Sequence, residues 1–186
     1  MEERKIIISR AKVALEFPAS FMLIASMNPC PCGYYNHPEK ECTCPPGAVQ
    51  KYLNKISGPL LDRIDLHVEV TPVAFSELSS AKNFEKSESI RERVILAREK
   101  QAERYKDNPG VYCNAQMSSK MLKEICVISQ VGANLLKIAM EKLNLSARAY
   151  DRILKVSRNI SDLADRDDIK PEHLDEAIQY RNLDRK

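Results

Sequence analysis

Four of the six cysteines in this 186-residue chain fall within one turn-rich stretch, MNPCPCGYYNHPEKECTCPPG, at residues 27–47. They form two C-x-C pairs, Cys30 with Cys32 and Cys42 with Cys44, separated by nine residues. Four thiolates gathered by a loop satisfy the tetrahedral, sulfur-rich preference of zinc. The prolines restrict the unfolded loop and lower the entropy cost of gathering the ligands. The stretch therefore predicts a loop closed on structural Zn²⁺ between the segments that flank it.

Other uses of these cysteines stay open at the sequence level. The usual zinc-knuckle spacing is C-x-x-C, so free thiols and a redox pair remain alternatives. His37 lies between the two pairs and could replace one sulfur. A catalytic zinc is not expected, because four protein sulfurs close the coordination sphere. Cys113 and Cys126 stand apart and are interpreted as small packing residues.

The chain is predicted to be cytoplasmic, with no membrane partner. Its first residues, MEERKIIISR, are too charged for a signal peptide, and no apolar run is long enough to span a bilayer. Cysteines in the cytoplasm are normally reduced, which favours a metal site over disulfides. The net charge of +3 is too small to indicate nucleic-acid binding by itself.

The first third of the chain has a mixed α/β pattern. Short β-branched or alternating segments predict a hairpin at its start. A continuous apolar run, FMLIAS, is typical of a strand covered on both faces. The predicted elements are hairpin strands at 5–10 and 13–19, a buried strand at 21–26, a short helix at 48–56, a helical turn at GPLLDRI and a strand at 65–70.

The remainder is predicted to be helical after a loose segment that marks a domain boundary. We place an α/β domain at residues 1–75, a linker at 76–89 and a helical domain at 90–186. The clearest helix, SARAYDRILKVSRNISDLAD, has an apolar stripe stepping by four, three, four and three. The stripe comprises Ala149, Ile153, Val156, Ile160 and Leu163, and the preceding helix places Val131, Leu135, Ile138 or Ala139, and Leu143 on one face.

Three polar residues are candidates for a ligand site, each with a plainer alternative. Asn28 follows the predicted buried strand, where α/β folds place ligand-handling groups, although a turn asparagine is the simpler interpretation. Arg63 lies between Asp62 and Asp65, where a weak surface ion pair would also account for it. Arg148 opens the clearest helix away from its apolar stripe, where a solvated face is the alternative.

The amino-terminal hairpin carries Lys5, Arg10 and Lys12. These side chains could contact phosphates, but lysine and arginine also protect the edges of a sheet from aggregation.

The order of these features resembles one family over essentially the whole chain. The stretches MNPCPCG, GPLLDRIDLHVEV, LSARAYDRIL and IKPEHLDEAIQYR are similar to the carboxyl-terminal part of the Mg-chelatase-like AAA+ ATPases of the ComM/YifB type. These bacterial proteins are related to the magnesium-chelatase I subunit and more distantly to the MCM helicases. The resemblance implies an α/β part of an AAA+ P-loop ATPase core followed by an all-α helical lid.

The resemblance also implies a role for each candidate residue. Asn28 matches the sensor-1 residue, Arg63 the arginine finger and Arg148 the sensor-2 arginine of the lid. The hairpin matches one that points into the central pore of related helicases, which is why Lys5, Arg10 and Lys12 are candidate DNA contacts. The cysteine loop, with Cys30, Cys32, Cys42 and Cys44, is a family-specific elaboration between sensor 1 and the finger.

The implied function is that of a hexameric, ATP- and Mg²⁺-dependent ATPase ring. The leading expectation is a DNA motor for branch migration in recombination and natural transformation. One alternative is a chelatase-like or protein-remodelling ATPase, and another is a zinc-stabilised binding module without catalysis.

One departure from the family pattern bears on activity. None of the five glycines is followed by lysine, so the chain contains no G-x-x-x-x-G-K-[ST] loop. It also contains no apolar strand ending in paired acids that could hold magnesium. We expect both motifs upstream of Met1 in a full-length relative, and we expect the chain alone neither to bind ATP well nor to hydrolyse it.

Overall fold

The computed structural model describes residues 4–10, 13–70, 72–73 and 84–181. The chain divides into two compact units, residues 1–57 and residues 58–186, which are described separately below. A two-stranded sheet in the first unit and a set of helices in the second agree with the expected α/β part followed by a helical part. The predicted linker lies largely outside the described residues, so the predicted domain boundary stays a prediction.

The first unit begins with the predicted hairpin. Strand β1 (Lys5–Arg10) pairs antiparallel with β2 (Val13–Pro18), with Ile6 opposite Phe17 and Ile8 opposite Leu15. The β-branched and alternating pattern of both segments suits a pleated strand. Every residue of the two strands is exposed, so neither face of the ribbon packs on a core within the described part of this unit.

The buried strand predicted at 21–26 is wrong. This segment is irregular, and Met22 and Ile24 keep 82% and 80% of their surface exposed. Among the described residues of the unit, β1 and β2 are the strands, and they pair with each other. Neither β1 nor β2 pairs with this segment in the described part of the unit, so the apolar run forms no ladder.

The cysteine loop leads into the predicted short helix. Gly47, with a φ of 77°, precedes α1 (Ala48–Leu53), and Lys51 N donates to Gly47 O at 3.0 Å. In the described part of this unit, Cys30 is the one buried residue. The best shielded side chain in the described part of the first unit is therefore a candidate sulfur ligand and not an apolar core residue.

The second unit opens with α2 (Gly58–Leu61), as predicted for GPLLDRI. The strand predicted at 65–70 is wrong, because this segment is irregular and only His67 within it is buried. Its backbone amide at His67 donates to Tyr180 O at 2.8 Å. The segment is therefore fixed by the end of the last helix, and its alternating pattern meets no strand partner among the described residues.

Five further helices form the body of the second unit. Serine caps begin three of them: Ser118, Ser129 and Ser146 each accept a hydrogen bond from a backbone amide three residues later. Pro171 occupies the first turn of the last helix, where its fixed φ and missing amide proton cost least. The helices are α3 (Ser87–Tyr105), α4 (Ser119–Ile125), α5 (Gln130–Lys142), α6 (Ala147–Leu163) and α7 (Pro171–Gln179), with a 3-10 turn at Asn114–Gln116.

One continuous apolar core joins these helices. It includes Cys126, as expected for a small packing residue, whereas Cys113 is only half-buried. Burial raises the pKa of the Cys126 thiol to about 11. The fully or nearly buried members are Tyr105, Met117, Leu122, Cys126, Leu136, Ile153, Leu154, Ile169, Leu174, Ala177 and Ile178.

The stripe predicted for α6 is confirmed at Ala149 and Ile153, which are fully buried, and is wrong at Leu163, which is 45% exposed. The face predicted for α5 is partly wrong, because Val131 is 65% exposed and Gly132 is buried instead. A β-carbon at Gly132 would lie 2.7 Å from Leu174 Cδ1. The glycine face thus turns towards α7, since only that face allows the two helices to approach so closely.

Within the described residues, no helix is both long enough and apolar enough to span a bilayer.

Candidate metal centre and nucleotide-site residues

The loop predicted to bind metal brings its four cysteines together. The Sγ atoms of Cys30, Cys32, Cys42 and Cys44 all lie within 4.8 Å of one another. Three separations are 3.2 Å for Cys30 to Cys32, 3.5 Å for Cys32 to Cys42 and 3.7 Å for Cys30 to Cys42. A tetrahedral ion with metal–sulfur bonds of about 2.3 Å requires sulfurs about 3.8 Å apart. The spacing therefore fits a four-sulfur metal site.

Local backbone geometry produces this arrangement. Gly33 N donates to Cys30 O at 3.0 Å, which closes a turn around the first C-x-C pair. Gly33 adopts a φ of 85°, a left-handed conformation that glycine tolerates best. The backbone amides of Tyr34 and Thr43 both act to lower the pKa of the Cys32 thiol. Amide donors of this kind stabilise thiolate, the form that ligates metals.

The four thiols influence one another strongly. The Tyr34 amide, with further hydrogen bonds, lowers the pKa of Cys32 to about 5. The Cys32 amide acts in the same direction on Cys44, but burial and the three neighbouring sulfurs outweigh it and raise the pKa of Cys44 to about 12. Four thiols this close together cannot all lose their protons unless a cation compensates their charge. A divalent metal ion bound by the four sulfurs would supply that charge.

His37 is not part of the sulfur cluster. Its Nδ1 accepts hydrogen bonds from Glu39 N and Lys40 N, both at 3.1 Å. The ligand set offered by the loop is therefore four sulfurs, and all six cysteines of the chain are free thiols. Since Cys30 is also the one buried residue in the described part of the first unit, a metal ion here would supply much of that unit's stability.

Asn28 lies two residues before Cys30, in the irregular stretch of the first unit, and its side chain is exposed. The strand at whose end it was expected is not formed. Its predicted sensor role stays a prediction.

Arg63 lies directly after α2 in the second unit. Its Nη1 donates to Pro59 O at 2.7 Å, within the same turn. Asp65, one of the two acids considered as partners of Arg63, pairs instead with Arg152 of α6. The segment that carries Arg63 therefore lies against the helices of this unit.

Arg148 is exposed in the first turn of α6, one turn before Arg152. Residues four apart on a helix share a face. Because Arg152 contacts Asp65, two residues beyond Arg63, the Arg63 segment lies beside the first turns of α6. The two arginines predicted to reach a nucleotide are thus found at the same end of the second unit.

The hairpin distributes its basic residues over two faces. Lys5 Nζ donates to Glu16 Oε2 at 3.1 Å across the strands, and Arg10 stands on the opposite face, which carries Ile6 and Ile8. Lys12 lies outside the described residues. The proposed DNA contacts at Lys5, Arg10 and Lys12 stay predictions.

A buried polar cluster was missed by the sequence analysis. Asp162, whose side chain is fully buried, accepts from Arg104 Nη2 at 2.5 Å, Asn114 Nδ2 at 2.8 Å and Arg158 Nε at 3.1 Å. Burial alone would raise the pKa of Asp162, but the hydrogen bonds and charges of these partners hold it below its ordinary value. The one available signal was the i, i+4 spacing of Arg158 and Asp162, which is common on solvated helices too.

The chain is similar to known proteins over its whole length. Residues 1–78 match the family described as magnesium chelatase, subunit ChlI, and residues 84–181 match its C-terminal family, magnesium chelatase, subunit ChlI C-terminal. The competence protein ComM of Haemophilus influenzae is 41% identical over 98% of the chain. The uncharacterized protein YifB of Salmonella typhimurium is 39% identical and that of Escherichia coli 37% identical, each over the full chain. The chain spans 35% of the length of each of these relatives.

Proposed function

The chain belongs to the magnesium chelatase, subunit ChlI, family of AAA+ ATPase-like proteins, and on that premise we propose that it forms the sensor, arginine-finger and lid portion of an ATP-hydrolysing ring. The observation that carries this proposal is the position of Arg63, whose segment lies beside the first turns of α6 where Arg148 is exposed. The family motif that contains Arg63 and the contacts of its segment therefore both support a nucleotide-binding role for this end of the second unit.

The roles follow from the chemistry of phosphoryl transfer. Catalysis of this reaction is mostly positioning and stabilisation of charge on the transferred phosphate. Arg63 is assigned to that charge as the finger, Arg148 to the bound nucleotide as sensor 2 and Asn28 to the attacking water as sensor 1. ATP and Mg²⁺ would be held chiefly by a phosphate-binding loop in a longer chain, since these 186 residues carry none.

Arg63 is proposed to act on the nucleotide of a neighbouring subunit. A head-to-tail interface that closes on itself produces a ring, here proposed to be a homohexamer. Among the described residues, the guanidinium of Arg63 donates to one neutral acceptor, Pro59 O. Exchanging one such hydrogen bond for another partner changes the free energy by only about 1 kcal/mol, so the side chain can turn towards a neighbour.

The sulfur cluster is proposed to be a structural Zn²⁺ site. Cys30, Cys32, Cys42 and Cys44 would be its four ligands, and the ion would supply no catalytic chemistry because its coordination is closed. Its role would be to fix the loop that follows Asn28. Support comes from the lack of other buried residues in the described part of the first unit.

DNA is the proposed substrate of the motor, with branch migration during recombination and natural transformation as its work. One relative bears the name competence protein, which supports this choice over a chelatase-like or protein-remodelling role. The hairpin, with Lys5, Arg10 and Lys12, is the proposed contact with the DNA backbone.

Replacing the proposed finger tests the assignment. In the chain extended upstream through its phosphate-binding loop, Arg63→Ala should lower kcat for ATP hydrolysis about a thousandfold and leave nucleotide affinity within about twofold. The matched control is Arg93→Ala, which removes an exposed arginine paired with Glu85 in the same unit. Turnover retained by Arg63→Ala would remove the finger assignment.

The same assay separates the proposed substrates. Forked DNA should stimulate hydrolysis by the unmutated extended chain if it is a DNA motor. Hydrolysis indifferent to DNA would leave the finger in place and move the proposal to a protein or metal-insertion substrate.

A further inference from the structure

The segment that carries Arg63 has little regular structure of its own. After α2 it continues as a turn, with Arg63 N donating to Leu60 O and Ile64 N to Leu61 O, each at 3.0 Å. Residues 65–70 form neither helix nor strand. The direction in which this segment holds Arg63 therefore depends on what it contacts elsewhere in the unit.

Arg181 provides the most buried of these contacts. It follows α7, and only 1% of its side chain is exposed. Its Nη1 donates to Ile64 O, the residue next to Arg63, and its Nη2 lies 3.9 Å from Asp62 Oδ1, the residue before. Burying a guanidinium is costly unless its partners are well placed. Replacing Arg181 should therefore alter the segment that it contacts.

Two further contacts hold the same segment. His67 N donates to Tyr180 O at 2.8 Å, which ties the segment to the end of α7 through the backbone. Asp65 accepts from Arg152 of α6, whose side chain is only 18% exposed. Four contacts, three from the two residues just after α7 and one from α6, therefore span the six residues from Asp62 to His67.

We propose that Arg181 and the Arg152–Asp65 ion pair are positioning residues that set the orientation of Arg63. Together with the His67–Tyr180 bond they form what we call the finger clamp. Its effect on catalysis rests on the proposed function of Arg63, whereas its effect on the segment does not. Neither Arg181 nor Arg152 touches nucleotide in this proposal.

The finger clamp makes the lid and the finger of one subunit move together. Arg148, proposed to contact nucleotide, lies one helical turn before Arg152, which holds Asp65. A nucleotide that displaces α6 would therefore also displace Asp65, which lies two residues after Arg63. A shift of about 1 Å in a positioned group is enough to change a rate by about a hundredfold.

Hydrogen exchange on the 186-residue chain tests the clamp without any need for activity. Arg181→Met, which keeps much of the side-chain volume, should speed exchange of the His67 amide about tenfold. Asp65→Asn removes a half-exposed pair and should speed it about threefold, while the charge-exchanged double variant Asp65→Arg with Arg152→Asp should restore slow exchange. Arg93→Gln, which breaks an exposed ion pair on α3, is the matched control and should change nothing at His67.

Kinetics of the extended chain then test the effect on the finger. Asp65→Asn should lower kcat about fivefold while KM for ATP stays within about twofold, and the double variant should restore kcat. A loss of fold would not give this division between kcat and KM. If Arg181→Met does not fold, Asp65→Asn and the double variant still test whether the finger clamp positions Arg63.

The outcomes distinguish the clamp from the finger assignment. Unchanged exchange at His67 in Arg181→Met and Asp65→Asn overturns the clamp, even if Arg63→Ala is inactive. Faster exchange with unchanged kcat overturns its coupling to catalysis. Faster exchange with active Arg63→Ala leaves the contact in place and removes the proposed function instead.

Discussion

Asp162 connects three parts of the helical unit through a single carboxylate. Its hydrogen bonds reach Arg104 on α3, Asn114 in the 3-10 turn and Arg158 on its own helix α6. Arg158 in turn donates to the carbonyls of Arg166 and Asp167, both at 2.6 Å. The turn after α6 is thus held by the same charges that join α6 to α3.

Replacing Asp162 should be strongly destabilising. Asp162→Asn leaves two guanidiniums beside a neutral amide and should cost about 3 kcal/mol in urea unfolding at pH 7. Because the pKa of Asp162 is lowered in the folded state, its stabilisation is complete above the unfolded pKa near 3.8 and is lost as pH falls through the folded pKa. The difference between the two proteins should therefore shrink below pH 4.

The control for this comparison is Asp165→Asn, three residues later. Asp165 pairs with Lys100, but its side chain is 87% exposed, so its removal should change stability by less than about 0.5 kcal/mol. Equal urea midpoints for the two variants would contradict the structural role given to Asp162.

At the scale of single residues, prediction succeeded where the signal was apolar spacing along one helix. It failed where the environment of a residue depends on partners far away in the sequence. Ala149 and Ile153 were found because apolar spacing marks a buried face directly. Arg158 and Asp162 on the same helix were missed, since a charged pair four residues apart looks the same on a solvated face as in a core. Burial of charge depends on partners such as Arg104, which is 58 residues away in sequence.

Helices, strands and loops were predictable when the residues that determine them lie close together in the sequence. The hairpin β1–β2 and the helices of the carboxyl-terminal part follow from patterns among neighbouring residues, and the structure has them. The strands expected at 21–26 and 65–70 require partners from elsewhere, and an apolar or alternating pattern cannot say whether those partners are present. The cysteine loop was predictable because its ligands and turn residues lie within one short stretch.

The cysteine loop is also the element whose loss is easiest to measure. Cys30→Ser with Cys44→Ser should reduce bound zinc from about one equivalent to none. The melting temperature of the first unit should fall by about 10 °C, because that unit has no buried residue besides Cys30 in its described part. Elemental analysis and a melting curve give the two readouts.

Cys113→Ser supplies the control for the loop, since Cys113 is only half-buried and stands apart from the cluster. It should keep both the metal and the melting temperature. A double variant that melts like the unmutated chain would mean that the four loop thiols hold no structural ion.

At the scale of the whole molecule, the proposed ring needs each subunit to complete its neighbour's site. The chain carries the proposed finger and lid but no phosphate-binding loop, and it spans 35% of its relatives' length. A subunit with an impaired finger and one with an impaired phosphate-binding loop are therefore complementary defects.

Mixing such subunits should restore activity. Extended chains with Arg63→Ala and extended chains defective in the phosphate-binding loop should each be inactive alone. Together they should recover roughly a tenth or more of the unmutated rate, because some interfaces pair an intact finger with an intact loop. ATP turnover measured across mixing ratios gives the test, and a mixture as inactive as its parts would show that Arg63 does not act between subunits.

The contact between Arg181 and Ile64 joins residues 117 positions apart. During synthesis, residues 58–67 leave the ribosome long before Arg181 exists, so nothing can yet hold them in place from α7. Closure of such a distant contact is slow compared with the formation of single helices. The proposed finger therefore reaches its final orientation only after α7 and Arg181 have been made, and on the proposed function a nascent subunit could not serve a neighbour before then.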